Sequence, residues 1–201
     1  MKMNDELKDL LSQKEMTGRH HSQLFVFEEL YKRFSFKPIN IVETGCIRNP
    51  TPMYKMGDGW GTLSWMLWAN KTGSSIHSID INPVHLEIAR QVTGNSPWVN
   101  FICSDSIKYL KELSESFKID FLFLDSYDYG PTEEKKKAAA EHQLKEIQAC
   151  EKNLEENSLI LLDDILDVKS FAGKGALSIP YLLKTGYKIL NYQDTQVLLS
   201  K

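Results

Sequence analysis

The chain has 201 residues, of which 42% are hydrophobic and 25% are charged, and it carries a net charge of −3. These values are ordinary for one folded domain with a sizeable core, and the acidic balance gives no global reason to expect a nucleic-acid partner. The three cysteines form no C-x-x-C pair, which argues against a zinc ribbon or a disulfide framework. Because no apolar run approaches the roughly 20 residues that span a bilayer, and the N-terminus lacks a secretory segment, we expect a cytoplasmic protein without a membrane partner.

Two helices are predicted before the first strand, over residues 4–14 and 22–35. In the second, apolar residues recur at helical spacing from Phe27 onward and form a stripe. We therefore expect residues 1–36 to form a helical cap over the rest of the chain. The polar residues 19–21 between the helices are interpreted as a solvated connector.

Residues 37–201 alternate between short apolar runs and helix-like segments, which predicts repeated βα units and a parallel sheet covered on both faces. The predicted strands are 39–43, 75–80, 98–102, 119–124, 158–162, 187–191 and 195–200. The predicted helices are 60–70, 83–93, 106–116, 132–153 and one near 175–185. Gln193 and Asp194 separate the last two strands, which can pair as a hairpin. The fold class is therefore α/β, with a doubly wound sheet.

One stretch carries a nucleotide-binding pattern. The first strand ends in Glu43-Thr44-Gly45, a loop rich in Pro and Gly follows to Gly61, and the second strand ends at Asp80. Glycines let the backbone approach a ligand closely, and the next helix offers free N–H groups at its N-terminus. An acid at the end of the second strand can accept hydrogen bonds from both hydroxyls of a ribose, and Asp80 follows Gly61 at about the 20-residue interval expected.

Five successive predicted strands end in or beside a carboxylate. These acids are Glu43, Asp80, Asp105, Asp125 and the pair Asp163-Asp164. Asp and Ser are common helix N-caps, and Ser106 is expected to cap the helix that begins there. Five acids in register are hard to explain by capping alone, so we predict a binding site at this edge of the sheet.

The run Glu43-Thr44-Gly45, the acids after the later strands and the terminal hairpin resemble class I S-adenosylmethionine (SAM) dependent methyltransferases. The resemblance covers roughly residues 37–201 and implies a seven-stranded, mostly parallel sheet with an antiparallel last strand. NAD-binding proteins instead show a tight G-x-G-x-x-G and a sixth parallel strand. The cofactor-binding residues that this resemblance implies are Glu43, Gly45, Gly57, Gly59, Trp60, Asp80, Ile81, Ser104, Asp105, Ser106 and Asp125.

The resemblance divides the roles among these residues. It implies that Glu43 fixes the loop and approaches the methionine end of SAM, and that Asp80 takes the ribose hydroxyls. Ile81 would lie against the adenine, and Asp105 would accept a hydrogen bond from its amino group. The glycines at 57–61 come later than in many methyltransferases, and Trp60 lies among them.

More narrowly, the chain is similar to metal-dependent small-molecule O-methyltransferases of the catechol, caffeoyl-CoA and macrolide-sugar types. These have an acid after the fourth strand and an acidic pair after the fifth, which Asp125 and Asp163-Asp164 match. The resemblance implies Mg²⁺, Mn²⁺ or Ca²⁺ among the three carboxylates, which would otherwise repel one another.

The match has two departures. The run Asp125-Ser126-Tyr127-Asp128 lacks the lysine of the D-x-D-K run in catechol-type enzymes, and the acidic pair is Asp-Asp rather than Asp-Asn or Glu-Asp. The candidate catalytic residues are Asp125, with His142 or Asp128 as the base.

The expected activity is methyl transfer from SAM to a small-molecule acceptor, at a hydroxyl and with help from a divalent metal. Three alternatives stay open: a methyltransferase of nucleic acid or protein, an NAD(P)-dependent oxidoreductase, and a non-catalytic SAM-fold binding protein. The run after the fourth strand is not the Asn-Pro-Pro-Tyr type of nucleic-acid amino-group methylases. Whether the protein forms a homodimer is also left open.

Overall fold

The computed structural model describes residues 18–201, so the predicted helix 4–14 lies outside the described residues. The helices are α1 (His20–Phe34), α2 (Lys55–Asp58), α3 (Gly61–Thr72), α4 (Pro83–Val92), α5 (Ser106–Glu112), α6 (Glu133–Cys150) and α7 (Gly175–Lys184). The strands are β1 (Asn40–Thr44), β2 (Ser75–Asp80), β3 (Val99–Cys103), β4 (Ile119–Leu124), β5 (Leu154–Leu162), β6 (Ile165–Asp167), β7 (Ala172–Gly173), β8 (Lys188–Gln193) and β9 (Gln196–Ser200). Within this range, no helix has the length and apolar character needed to cross a membrane.

Seven strands form one sheet in the order β3-β2-β1-β4-β5-β9-β8. The pairs among β1 to β5 are parallel, whereas β9 runs antiparallel to both β5 and β8. The prediction of a doubly wound, mostly parallel sheet with an antiparallel last strand is confirmed. The strand order reverses between β1 and β4, the switch point at which sheets of this kind bind ligands.

The sheet is buried on both faces. One core cluster includes Phe27 from α1 and Trp65 from α3, and the other includes Leu110 from α5 and Ile147 from α6. Strand β4 serves both clusters, because Phe121 and Phe123 belong to the first and Leu122 and Leu124 to the second. Its continuous apolar run therefore reflects a doubly buried central strand, as predicted.

Helix α1 is part of this core. Phe27 is fully buried, with its ring stacked 5.7 Å from that of Trp68 and edge-on to Trp65 at 5.9 Å. Aromatic pairs at such distances add to the stabilisation that burial gives. Helix α1 thus shares one face of the sheet with α3, while the predicted division of the chain at residue 36 stays a prediction.

Several boundaries differ from the sequence prediction. Helix α5 ends at Glu112 rather than 116, since the backbone turns extended at Leu113. The segment predicted as a long loop before α3 contains a 3₁₀ turn begun by Pro52, followed by α2. The loop predicted after β5 contains the two-stranded hairpin β6–β7.

We predict that Phe27→Ala lowers the free energy of unfolding by about 3–5 kcal/mol, because a fully buried aromatic ring leaves a cavity in the core. Urea unfolding followed by circular dichroism measures this loss. The matched control on the same helix is the exposed Lys32→Ala, which should change stability by no more than about 0.5 kcal/mol. Equal losses in both variants would mean that α1 does not belong to the core.

Candidate active site

A cavity of about 310 Å³ lies at the carboxyl ends of the strands beside the switch point. Its lining residues are Gly45, Ile79, Asp80, Ile81, Ser104, Asp105, Ser106, Ser126, Tyr127 and His142. They come from the ends of β1, β2, β3 and β4 and from α6. The cavity therefore brings together six of the predicted cofactor residues and one of the predicted catalytic residues.

Gly45 lets two strand ends meet at this cavity. Its φ is +79°, and a Cβ atom here would lie 2.5 Å from the backbone oxygen of Asp125. The backbone N–H of Gly45 donates to Ile79, and that of Asp125 donates to Thr44. Any side chain at position 45 would force β1 and the turn after β4 apart, which explains why glycine stands at this position.

Asp80 is held at the end of β2 by its neighbours. One carboxylate oxygen accepts from the backbone N–H of Asn82 at 2.8 Å, and the other lies 3.4 Å from His85 Nδ1 and 3.6 Å from Cys46 Sγ. These contacts fix the direction of the carboxylate on the cavity wall. Asp80 is thus held in place on the cavity wall, and its part in ribose binding stays a prediction.

Asp105, rather than Ser106, caps helix α5. The carboxylate of Asp105 accepts from the N–H of Lys108 at 2.8 Å, so the capping prediction for Ser106 was wrong. Ser106 is instead the first helical residue, and its hydroxyl lies 3.1 Å from Nε2 of His142. The ring of Tyr127 stacks on that of His142 with 5.2 Å between centroids. His142 and Ser106 therefore form one polar wall of the cavity.

Glu146 was missed by sequence reasoning. It is 1% exposed, and its Oε1 accepts from the hydroxyl of Ser126 at 2.6 Å and lies 3.4 Å from His142 Nε2. Its Oε2 has no hydrogen-bond partner among the described residues. The i,i+4 spacing from His142 on α6 was the signal that could have revealed this pair. Glu146 therefore fixes the side chains of Ser126 and His142 from beneath the cavity wall.

Glu43 lies beneath the glycine loop and not in the cavity wall. It is 1% exposed and accepts hydrogen bonds from Thr62 at 2.7 Å and Ser78 at 2.6 Å. Burial raises the pKa of Glu43 to about 7, although these two hydrogen bonds oppose the shift. The side chain thereby ties β1 to β2 and to the start of α3, in keeping with its predicted role of fixing the loop.

Besides Glu43, four predicted cofactor residues are not among the lining residues: Asp125, described below, and three residues of the glycine loop. Gly57 is exposed, and Gly59 packs against Arg19, whose Cγ would lie 2.6 Å from an added Cβ. Trp60 is 5% exposed in a small cluster with Ile47, and the ammonium of Lys55 lies 4.9 Å from its ring centre. The part of all four residues in cofactor binding stays a prediction.

The predicted metal ligands do converge, but two basic side chains lie among them. Lys174 Nζ lies 3.0 Å from Asp125 Oδ1 and 3.0 Å from Asp164 Oδ2, and Arg19 Nε donates to Asp163 Oδ1 at 3.0 Å. Lys174 is 2% exposed. Burial alone would lower its pKa, but the three carboxylates raise it above the ordinary value, so the ammonium stays charged.

A divalent ion does not fit this cluster as it stands. An ion bound to the same oxygens of Asp125 and Asp164 would lie within a few ångströms of the Lys174 ammonium. At about 4 Å and an effective dielectric constant of about 20, that repulsion is roughly 8 kcal/mol. Among the described residues, no group of three or more His, Cys, Asp or Glu side chains could hold a metal ion. The metal prediction is therefore not confirmed.

Both cations escaped the sequence prediction. Arg19 was interpreted as part of a solvated connector, but its side chain is only 14% exposed and contacts Asp163, so this interpretation was wrong. Lys174 falls between the fifth predicted strand and the helix predicted near 175–185, whereas the structure has it directly after β7. No local pattern marks either residue, because both contacts join parts of the chain that are far apart in sequence.

Asp128, a candidate base, lies at the rim of this region. Its side chain is 77% exposed and pairs with Arg48 at 2.5 Å, and Arg48 also pairs with Asp58 at 3.3 Å. This ion-pair network connects the segment after β1 to the turn after β4 across the outside of the site. A catalytic role for Asp128 stays a prediction.

The pKa of Glu43 gives a prediction for stability. Because the folded protein binds this proton more tightly than the unfolded chain, with a pKa of about 7 instead of 4.5, Glu43 favours folding at low pH and costs stability as the pH rises from 4.5 to 7. In urea unfolding, wild type should therefore gain up to about 3 kcal/mol over Glu43→Gln as the pH falls through this window.

The control for this experiment is Glu134→Gln, at an exposed position in the first turn of α6. Its stability difference from wild type should stay flat over the same pH range. A Glu43→Gln difference that is equally flat would contradict the raised pKa.

Comparison with known proteins assigns the chain to a family. Residues 55–165, just over half of the chain, match the family described as Methyltransferase domain. No curated protein matches the sequence.

The fold is similar to that of a candidate caffeoyl-CoA O-methyltransferase from Staphylococcus aureus, with 14% identity and a TM-score of 0.60 over 100% of this chain and 93% of that one. N-methyltransferase NodS from Bradyrhizobium japonicum WM9 is 13% identical, with a TM-score of 0.56 over 91% and 94%. Monomeric WbdD is 16% identical, with a TM-score of 0.57 over 89% of this chain, which spans only 41% of that protein. At these identities the likenesses show the fold alone. From the matched domain and the switch-point cavity together, we conclude that the chain belongs to the methyltransferase domain family and has the class I fold that uses SAM as methyl donor.

Proposed function

We propose that this protein transfers a methyl group from SAM to a hydroxyl of a small-molecule acceptor. The observation that carries the proposal is the cavity at the switch point, because Asp80 and Asp105 stand on its wall at successive strand ends, beside Gly45. A ligand with a ribose and an amino-bearing base fits this order of acceptors. The nearest alternative is a nicotinamide dinucleotide, which would need the same ribose acceptor.

We assign the cavity wall as follows. Asp80 would accept from the ribose hydroxyls, Ile81, which is 72% exposed, would cover one face of the adenine, and Asp105 would accept from the adenine amino group. His142 stands beside Ser106 near this end, so we assign it to cofactor binding rather than to proton transfer. When bound, SAM supplies an electrophilic methyl group on a sulfonium, and the protein's task is to align an acceptor with it.

The acceptor would lie on the other side of Gly45, against the acids that follow β4 and β5. The side chains of Asp125 and Asp164 are 28% and 34% exposed, so both can accept hydrogen bonds from an acceptor. Burial and the neighbouring Asp163 raise the pKa of Asp125 well above its ordinary value, even though Lys174 opposes the shift. A carboxylate with a raised pKa is the better proton acceptor, so we assign Asp125 as the base for the hydroxyl.

The first test is calorimetric titration with S-adenosylhomocysteine. We expect micromolar binding by wild type that weakens about tenfold to a hundredfold in Asp80→Asn, because hydrogen bonds to a charged acceptor are worth about 1.5–3 kcal/mol. Glu155→Gln, at the opposite end of the strands, should bind like wild type. Binding of NADH in place of S-adenosylhomocysteine would favour the oxidoreductase.

The second test concerns the acceptor. Wild type should transfer a labelled methyl group from SAM to a member of a panel of alcohols, catechols and sugar diols, detected by mass spectrometry. Asp125→Asn should lower kcat by about a hundredfold or more while S-adenosylhomocysteine affinity stays the same, because it removes the base and not the cofactor site. For wild type, kcat/KM should rise with pH through the raised pKa of Asp125. Methyl transfer to amines alone would reject the hydroxyl part of the proposal.

A further inference from the structure

A buried ammonium lies where metal-dependent methyltransferases would hold a divalent ion. We propose that Lys174 is the resident cation of this site, so that the protein binds no divalent metal there and presents Asp125 and Asp164 directly to the acceptor. The statement about metal binding stands on the charge cluster alone. Its consequence for the acceptor rests on the proposed function.

The position of Lys174 is built into the backbone. Its N–H donates to the carbonyl of Asp164 at 3.0 Å, and the preceding Gly173 has a φ of +109°. A Cβ at Gly173 would lie 2.0 Å from the same carbonyl, so only glycine lets the hairpin β6–β7 close this tightly. The single hydroxyl hydrogen of Tyr192 is shared between two carbonyl oxygens of β6, each 3.1 Å from the hydroxyl oxygen, and anchors the hairpin to β8. The folded hairpin β6–β7 therefore fixes the position of the Lys174 ammonium.

The three acids are held by the two cations, and Asp164 contacts both. Asp163 is 3% exposed and pairs with Arg19, whereas Asp125 and Asp164 share Lys174 and keep about a third of their side chains exposed. Asp164 also lies 3.7 Å from the Arg19 guanidinium, so both cations hold it. Lys174 itself, at 2% exposure, stands behind these two carboxylates and away from solvent. It is thus a positioning residue: it neutralises and aligns the carboxylates, and they make the contact with the acceptor.

This arrangement defines a class of acceptor. A divalent ion recognises oxygen pairs that it can chelate, such as vicinal hydroxyls. Two carboxylates aligned by an ammonium instead recognise groups that donate hydrogen bonds. One hydroxyl is therefore enough for an acceptor to bind. We therefore expect acceptors with a single hydroxyl to be methylated as readily as diols, and the reaction to proceed unchanged in EDTA.

The experiment is a titration with Mn²⁺, in which the electron paramagnetic resonance of the free ion is followed, on wild type, Lys174→Gln and Lys184→Gln. Lys184 is an exposed lysine at the end of the helix that follows Lys174 and serves as the matched control. Wild type and Lys184→Gln should leave Mn²⁺ free at about 1 mM, while Lys174→Gln should bind it at least about tenfold more tightly. The gain is expected because removal of the ammonium leaves Asp125 and Asp164 as oxygen ligands, and Lys174→Gln combined with Asp125→Asn should abolish it.

Two results would overturn the proposal: saturable Mn²⁺ binding by wild type that Asp164→Asn abolishes, or a folded Lys174→Gln that binds no more tightly than wild type. If Lys174→Gln does not fold, the thermal midpoint of wild type decides. A midpoint that Mg²⁺ leaves unchanged supports the resident ammonium, and one that Mg²⁺ raises in wild type but not in Asp164→Asn rejects it. Titration of the same proteins with S-adenosylhomocysteine tests the proposed function separately, since its failure would leave the metal result intact.

Discussion

The site depends on a balance of charge at the carboxyl ends of β4 and β5. Three aspartates converge there, and a buried charge without a partner costs several kcal/mol, so the cluster exists only because Lys174 and Arg19 reach it. Arg19 is 144 residues from Asp163 in sequence, and Lys174 is 49 residues from Asp125. Assembly of the site therefore requires that the segment leading into α1 and the hairpin β6–β7 have both docked on the sheet.

The switch-point cavity and the acidic cluster are neighbours in the fold. Gly45 ends β1 on the cavity wall, and its Cα faces the backbone carbonyl of Asp125, the residue whose side chain meets Lys174. A donor bound in the cavity and an acceptor bound at the cluster would thus be separated by about one residue of backbone. Such adjacency is what methyl transfer by in-line displacement requires, because most of the rate comes from positioning.

The sequence predicts those parts of the structure that local patterns determine. The alternation of apolar runs and helical segments gives the parallel sheet, and the acids at strand ends mark the edge where Asp80 and Asp105 line the cavity. Lys174 and Arg19 were missed because their roles come from tertiary contacts that have no periodicity. The sequence could not decide between Asp105 and Ser106 as the N-cap of α5. Both residue types are good caps, and the choice depends on one backbone dihedral angle. Glu146 was missed because an acid in a polar helix normally faces solvent.

A covalently attached cation and a bound metal ion solve the same electrostatic problem with different dependences. A metal site loses its charge balance when the ion dissociates, and its ligands must then repel or take up protons. Here the cation is part of the chain, and the hydrogen bond from the backbone N–H of Lys174 to the carbonyl of Asp164 holds it in the closed hairpin. The charge of the site is thereby coupled to local folding of β6–β7 instead of to the concentration of an ion. Opening of the hairpin would remove the ammonium and expose the two carboxylates at once.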